Sequence, residues 1–224
     1  IQIFTKKGDF KPSTIVSTEV GSNVLKRTAI ATRGAYNQLR YSIDLSYLET
    51  DGIDALKDDS QQNRDSDGYK NFSINTNLGY TFDNGVDVGL SFLEAHSRIY
   101  LDGSSYPDRD SFSDSIIQNI GFSVSAPLRD WWLSKISMGR SIDDIDDTNG
   151  IDGSHISDFR TTKDQYSWQN DIEIFNEQII TFGVDLYDDE LVSSTDYTDT
   201  QGVLARDRMN RAYFIQYQGN FSIF

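Results

Sequence analysis

The connections between strand-like segments alternate in length along this chain of 224 residues. Segments of about ten residues, in which apolar and polar side chains alternate, are joined first by a tight turn and then by a long acidic connection. The pattern occurs four times. Short turns on one side and long loops on the other are typical of membrane barrels, whereas sandwiches have loops of mixed length at both ends. The alternation therefore predicts an all-β, antiparallel, up-and-down transmembrane β-barrel.

The clearest strand pattern lies in residues 72–82. Phe72, Ile74 and Leu78 alternate with small polar residues, and Asp83-Asn84-Gly85 then provides a hairpin turn. The same pattern predicts ten strands, with an eleventh in which the chain stops at Phe224. Their expected extents are Ser13 to Val20, Leu25 to Tyr36, Arg40 to Glu49, Asn71 to Phe82, Val86 to Phe92, Ile120 to Ala126, a strand opening with Trp131, Tyr166 to Ile172, Ile180 to Leu186, and Tyr213 to Tyr217.

The charge of the chain is concentrated in four stretches. The net charge of −15 argues against binding to nucleic acid, which needs a basic face, and the absence of cysteine excludes disulfides and thiolate metal sites. Residues 51–69, 99–114, 143–160 and 188–207 contain 22 of the 35 acidic residues. We expect all four stretches to be loops. The aspartates at 143–147 and the acids at 188–190 are expected to be solvent-exposed surface charges rather than ligands.

The first two acidic loops carry residues that could bind a hard cation. Asp65 and Asp67 precede Gly68, and Asp54 and Asp102 could converge on them from the same side of the sheet. Calcium prefers six to eight oxygen ligands, several of them carboxylates. The alternative is that these loops are only solvated surface. No pattern typical of a catalytic triad, P-loop or dinucleotide site is present, so an enzyme is not expected.

Three segments resemble the TonB-dependent outer-membrane receptors, most closely the cobalamin transporter branch. These segments are residues 1–8, the aspartate loop at 51–69, and residues 210–219. The resemblance implies that residues 1–12 are the end of a plug domain or a linker and that 13–224 are part of a barrel of about 22 strands. It implies the outer membrane of a Gram-negative bacterium, contact with its lipid, and a periplasmic energy-coupling protein that acts through a plug not seen here.

The same resemblance implies a binding site. The calcium ligands would be Asp54, Asn63, Asp65, Asp67, the carbonyl of Leu101, Asp102 and Asp108, with Asp110 as a rival to Asp108. A cobalamin-like ligand would lie near Gly103 and Thr161. The expected function is energy-coupled uptake of such a ligand through calcium-ordered loops.

Two alternatives remain open at this point. The chain could be a stand-alone small outer-membrane barrel that acts as a passive pore or adhesin. It could instead be a soluble, acidic β-domain that binds calcium or carbohydrate.

Overall fold

Ten β-strands make up nearly all of the structure, a computed structural model that describes residues 11–53, 66–101, 111–149, 153, 155–175, 178–195 and 202–219. The strands are β1 (Ser13–Val20), β2 (Lys26–Tyr36), β3 (Leu39–Thr50), β4 (Tyr69–Thr81), β5 (Asp87–Leu101), β6 (Ser111–Arg129), β7 (Trp132–Thr148), β8 (His155–Phe175), β9 (Gln178–Thr195) and β10 (Gly202–Gly219). None of the described residues forms a helix that is long and apolar enough to cross a membrane.

The ten strands form one antiparallel sheet in the order of the chain, from β1 to β10. Each strand pairs with the next, so every connection is a hairpin. Within the described ranges the sheet is not closed, since β1 and β10 each have one unpaired edge. The predicted all-β, antiparallel, up-and-down fold is confirmed. The described residues form a single layer rather than the two packed sheets of a sandwich.

The two faces of the sheet differ in chemistry. Directly paired residues point to the same side, so the register assigns Phe72, Leu45 and Phe92 to one side, which we call the apolar face. Asn71, Ser73 and most of their cross-strand neighbours form the other side, the polar face. No described apolar residue is buried, and Phe72 remains 47% exposed. The sheet therefore has no core of its own, and its apolar face requires another apolar phase or partner.

Tight turns close one end of the sheet, which we call the turn end. Asn37 takes a positive φ of 52° between β2 and β3, and Gly85 takes 81° between β4 and β5. Tight hairpins require this conformation, which asparagine and glycine tolerate. In the second turn the Phe82 amide donates to the Val86 carbonyl at 2.8 Å. The opposite end, the loop end, carries the connections at 21–25, 51–68, 102–110, 149–154 and 196–201.

The strand count agrees with the prediction, but several strands are longer than expected. β1 has the predicted bounds, whereas β5 to β10 extend well toward the loop end. The predicted eleventh strand and residues 1–10 of the predicted plug or linker segment 1–12 lie outside the described residues.

The loop assignment of two acidic stretches was wrong. The aspartates at 143–147 lie in β7, and Asp188, Asp189 and Glu190 lie in β9. They belong to strands because each is paired in register with the neighbouring strand, for example Asp144 with Arg160. The true connections there are shorter, at 149–154 and 196–201.

Candidate functional site

The loop end brings the bases of the first two acidic loops together. The Asp67 amide donates to the Ile53 carbonyl at 3.1 Å, which joins the two ends of the 51–68 connection. The Tyr100 amide donates to the Gly68 carbonyl at 3.0 Å, which joins this connection to the end of β5. We call these contacts the loop neck. The neck places Asp67 beside the points where both acidic loops leave the sheet.

Glycine is required at one position of the neck. Gly52 has a φ of +73°, and a Cβ atom there would lie 1.9 Å from the Asp67 carbonyl oxygen. Both the positive φ and this close approach exclude a side chain. The Thr50 hydroxyl lies against the same segment, because it donates to the Asn23 carbonyl at 2.9 Å and accepts the Gly52 amide at 3.2 Å.

The structure describes three of the nine predicted site residues. Asp67 lies in the neck and Leu101 ends β5 just beyond Tyr100, so these two predicted calcium residues are close to one another along the neck. Thr161 lies on β8, separated from β5 by β6 and β7. The other predicted residues, together with the rival Asp110, lie outside the described part of the chain: Asp54, Asn63, Asp65, Asp102, Gly103 and Asp108. The described residues contain no group of three or more metal-binding side chains.

The apolar face changes character along the strands. Toward the turn end it is apolar, as at Ile136 and Met138 of β7, and this part spans nine or ten residues in β6, β8 and β9. A strand needs about nine to eleven residues to cross a hydrocarbon layer. Toward the loop end the same face becomes charged, beginning with Arg140 in β7. The remaining residues of β7, from Arg140 to Thr148, extend about 30 Å along the strand beyond this boundary.

Cross-strand ion pairs cover this charged part of the apolar face. Arg98 donates to both oxygens of Asp114 at 2.7 Å, and Arg140 donates to both oxygens of Asp164 at 2.7 Å. The Arg140 hydrogen bonds lower the pKa of Asp164, and the Asp114 hydrogen bonds raise the pKa of Arg98. Bidentate pairs of this kind help to hold neighbouring strands in register.

The polar face carries separate polar networks near the turn end. Arg40 donates to Asp87 at 2.5 Å and to the Thr81 hydroxyl at 2.6 Å. Lys135 donates to Asp171 at 2.6 Å. These charged groups are paired at the level of the apolar belt on the other face, as expected for side chains that face a polar barrel interior.

Two tryptophans lie on the apolar face, Trp132 at its turn end and Trp168 nearer to the charged part. The Trp132 indole nitrogen donates to the side-chain oxygen of Asn170 at 2.9 Å, and the Trp168 indole donates to the Ser134 hydroxyl at 3.0 Å. Asn170 is fully buried. An indole with an apolar ring and a satisfied N–H group is typical of the boundary between an apolar and a polar phase.

Sequence reasoning missed the paired charges on β5 to β8. Asp114 and Asp144 were assigned to loops because they lie in acidic stretches of the sequence, and Asp164 was not singled out. No period-two signal marked these strands, because acids occupy adjacent positions at 143–144, 146–147 and 188–190.

Comparisons with known proteins reveal likeness in structure alone. No protein-family model and no curated protein matches the chain. The chain is similar to the structure of the RagAB peptide transporter (TM-score 0.56, 10% identity, 87% of this chain and 30% of that chain). It is also similar to the siderophore receptor PiuA from Acinetobacter baumannii (TM-score 0.56, 10% identity, 95% of this chain and 47% of that chain). The chain thus spans less than half of either protein, and at this identity the likeness shows that it shares their β-barrel type of fold.

Proposed function

We propose that this chain is part of a barrel in the outer membrane of a Gram-negative bacterium. The observation that carries this proposal is the exposed apolar face of a sheet that, in its described residues, has no buried apolar side chain. Lipid would satisfy that face over the nine or ten residues before it becomes charged. The unpaired edges of β1 and β10 would then be covered by further strands, because open edges are not tolerated in hydrocarbon.

The activity proposed for this barrel is uptake of a scarce ligand of the cobalamin type. Likeness to a peptide transporter and to a siderophore receptor supports an uptake role. The sequence resemblance to cobalamin receptors favours that ligand class, with Gly103 and Thr161 near it. Passage would be driven by a periplasmic energy-coupling protein through a plug outside the described residues. No step of this activity requires covalent chemistry.

Calcium is proposed to order the first two loops. The neck supports this, because it holds Asp67 and the end of β5 together at the base of two loops whose sequences contain Asp54, Asp65, Asp102 and Asp108. Carboxylates that converge there would repel one another, and a divalent cation with oxygen ligands would remove that repulsion. Asp67 and the Leu101 carbonyl fit the oxygen-rich ligand set that calcium prefers.

The membrane assignment is tested on the protein in cells. Membrane fractions are separated and the protein is run on gels with and without heating. A folded barrel in the outer membrane should appear in that fraction and should change its migration when heated. Recovery in the soluble fraction would refute the proposal.

The calcium site is tested by titrating the purified protein in detergent with calcium. Asp67→Asn should weaken binding about tenfold, because it removes one carboxylate ligand. Asp130→Asn, in a tight turn at the opposite end, is the matched control and should leave affinity unchanged. Equal affinity in all three proteins would contradict a site at the neck.

A further inference from the structure

Three cations are grouped on the polar face of an otherwise acidic chain. Asp189 of β9 is paired in register with Lys163 of β8 on one side and with Arg208 of β10 on the other. The next row toward the loop end consists of Thr161, Leu191 and Arg206. We call Lys163, Arg206 and Arg208 the basic cluster. These residues line a groove of about 500 Å³, a size that suits a small ligand.

One carboxylate organises the basic cluster without neutralising it. Arg208 donates through Nε and Nη2 to the same oxygen of Asp189, at 3.0 and 2.5 Å. Lys163 lies on the other side of Asp189, with Nζ 3.8 Å from Oδ1, and 5.0 Å above the Tyr187 ring. The Asp189 side chain is only 16% exposed, so it is a fixed anchor between two cations.

Most of the donors in the basic cluster are not used by the residues that the structure describes. The 3.8 Å separation of Lys163 from Asp189 is too long for a hydrogen bond. The Nη1 group of Arg208 is not used by Asp189, and Arg206 makes no hydrogen bond or ion pair to the described residues. Three cations therefore surround one acid, and all three line the same groove.

Neighbouring acids do not cancel this charge. Glu190 and Asp207 also border the groove, but their side chains belong to the opposite face of the sheet, because side chains alternate along a strand. Another acid on the polar face is Asp143 of β7, which is paired with Thr161 of β8. It is the diagonal neighbour of Lys163, at about 7–8 Å, but lies three strand spacings from Arg206, about 14 Å, which exceeds the screening length at physiological salt. The charge of the arginines is therefore not offset by Asp143.

We propose that the basic cluster binds an oxyanionic group, a carboxylate or a phosphate, of a small ligand. Guanidinium groups present forked donors that match such oxyanions. The site deepens the proposed uptake function and rests on it for its role, since the polar face would line the path of the ligand. On this face the cluster would attract an anion that the acidic loops repel.

The experiment measures binding of citrate and of pyrophosphate to the purified full-length protein in detergent, by calorimetry at low and high salt. The double variant R206Q/R208Q should bind whichever anion the wild type prefers at least about tenfold more weakly, and wild-type affinity should fall with salt. Preference for citrate would identify a carboxylate ligand, and preference for pyrophosphate a phosphate ligand. The matched control is Arg211→Gln, on the same strand but on the apolar face, which should bind like the wild type.

Three results would overturn the proposal: no binding of either anion by the wild type, unchanged binding by the double variant, or equal weakening by Arg211→Gln. Heat-dependent gel migration verifies that each variant is folded. Failure of the membrane assignment, on which the uptake function rests, is distinguishable, because it appears as loss of outer-membrane localisation and does not depend on anion affinity.

Discussion

Replacing Gly52 by alanine should open the loop neck, because it adds both backbone strain and a steric clash. Gly153 provides a control for the strain alone. An alanine at a φ of +73° costs about 1–2 kcal/mol in backbone strain. Its Cβ would lie 1.9 Å from the Asp67 carbonyl oxygen, so the neck must move, and the Asp67 to Ile53 hydrogen bond of 3.1 Å is lost at about 1 kcal/mol. The sum is about 2–3 kcal/mol.

Amide hydrogen exchange measures this opening directly. In Gly52→Ala, exchange of the Asp67 amide should accelerate about 30- to 150-fold, since 1.4 kcal/mol corresponds to a factor of ten. Gly153 has nearly the same φ, +70°, but a Cβ there would meet no atom within 4 Å. Gly153→Ala should therefore show strain alone, about 5- to 30-fold at its own amide, which donates to Asn149.

The reasoning on the neck fails under two outcomes. If Asp67 exchanges at the wild-type rate in Gly52→Ala, then the two ends of the connection are not joined as described. If the two alanine variants accelerate exchange equally, then the close approach to the Asp67 carbonyl contributes nothing.

Two further predictions concern the strands. Asp164→Asn should make the stability of the fold less sensitive to acid. Arg140 lowers the pKa of Asp164 below 3.8, so the ion pair stabilises the fold above pH 3.8. This contribution is lost as the pH falls through the lowered pKa. Urea midpoints at pH 6 and pH 3 should differ less in the variant, and an unchanged difference would refute the role of the pair. Trp132→Phe should lower stability by about 1–3 kcal/mol because buried Asn170 loses its donor, whereas Trp131→Phe, which removes an exposed indole, should not. Equal urea midpoints for the two tryptophan variants would contradict this.

The sequence was most informative where the two faces of the sheet meet different surroundings. In β4 the alternation of Phe72, Ile74 and Leu78 with polar residues predicted the strand and its faces, which the register confirms. Near the loop end both faces are polar, so the alternation disappears although the strand continues. This is why Asp144 and Asp146 were assigned to a loop, while in the structure both are paired across β7 and β8.

The candidate site was less predictable because it depends on register. Spacing brought Asp65, Asp67 and Gly68 to attention, but nothing in it indicated that the Tyr100 amide meets the Gly68 carbonyl. The basic cluster could not be predicted from the sequence for the same reason. Lys163 and Arg208 are 45 positions apart in sequence and become neighbours only because β8 and β10 both pair with Asp189 of β9.

The boundary on the apolar face also determines which parts of the open edges require a partner. In β10 the apolar face is carried by Tyr213, Ile215 and Tyr217, whereas residues nearer the loop end, such as Asp207, are charged. If the apolar part lies in lipid, the N–H and C=O groups on the outer edge of Tyr213 to Ile215 have no water to bind and must be paired by another strand. The same groups near Asp207 lie outside the lipid, where water satisfies them. The strand that covers β10 therefore needs to match only its turn-end half, and the loop-end half, with Arg206 and Arg208, can remain open to ligand.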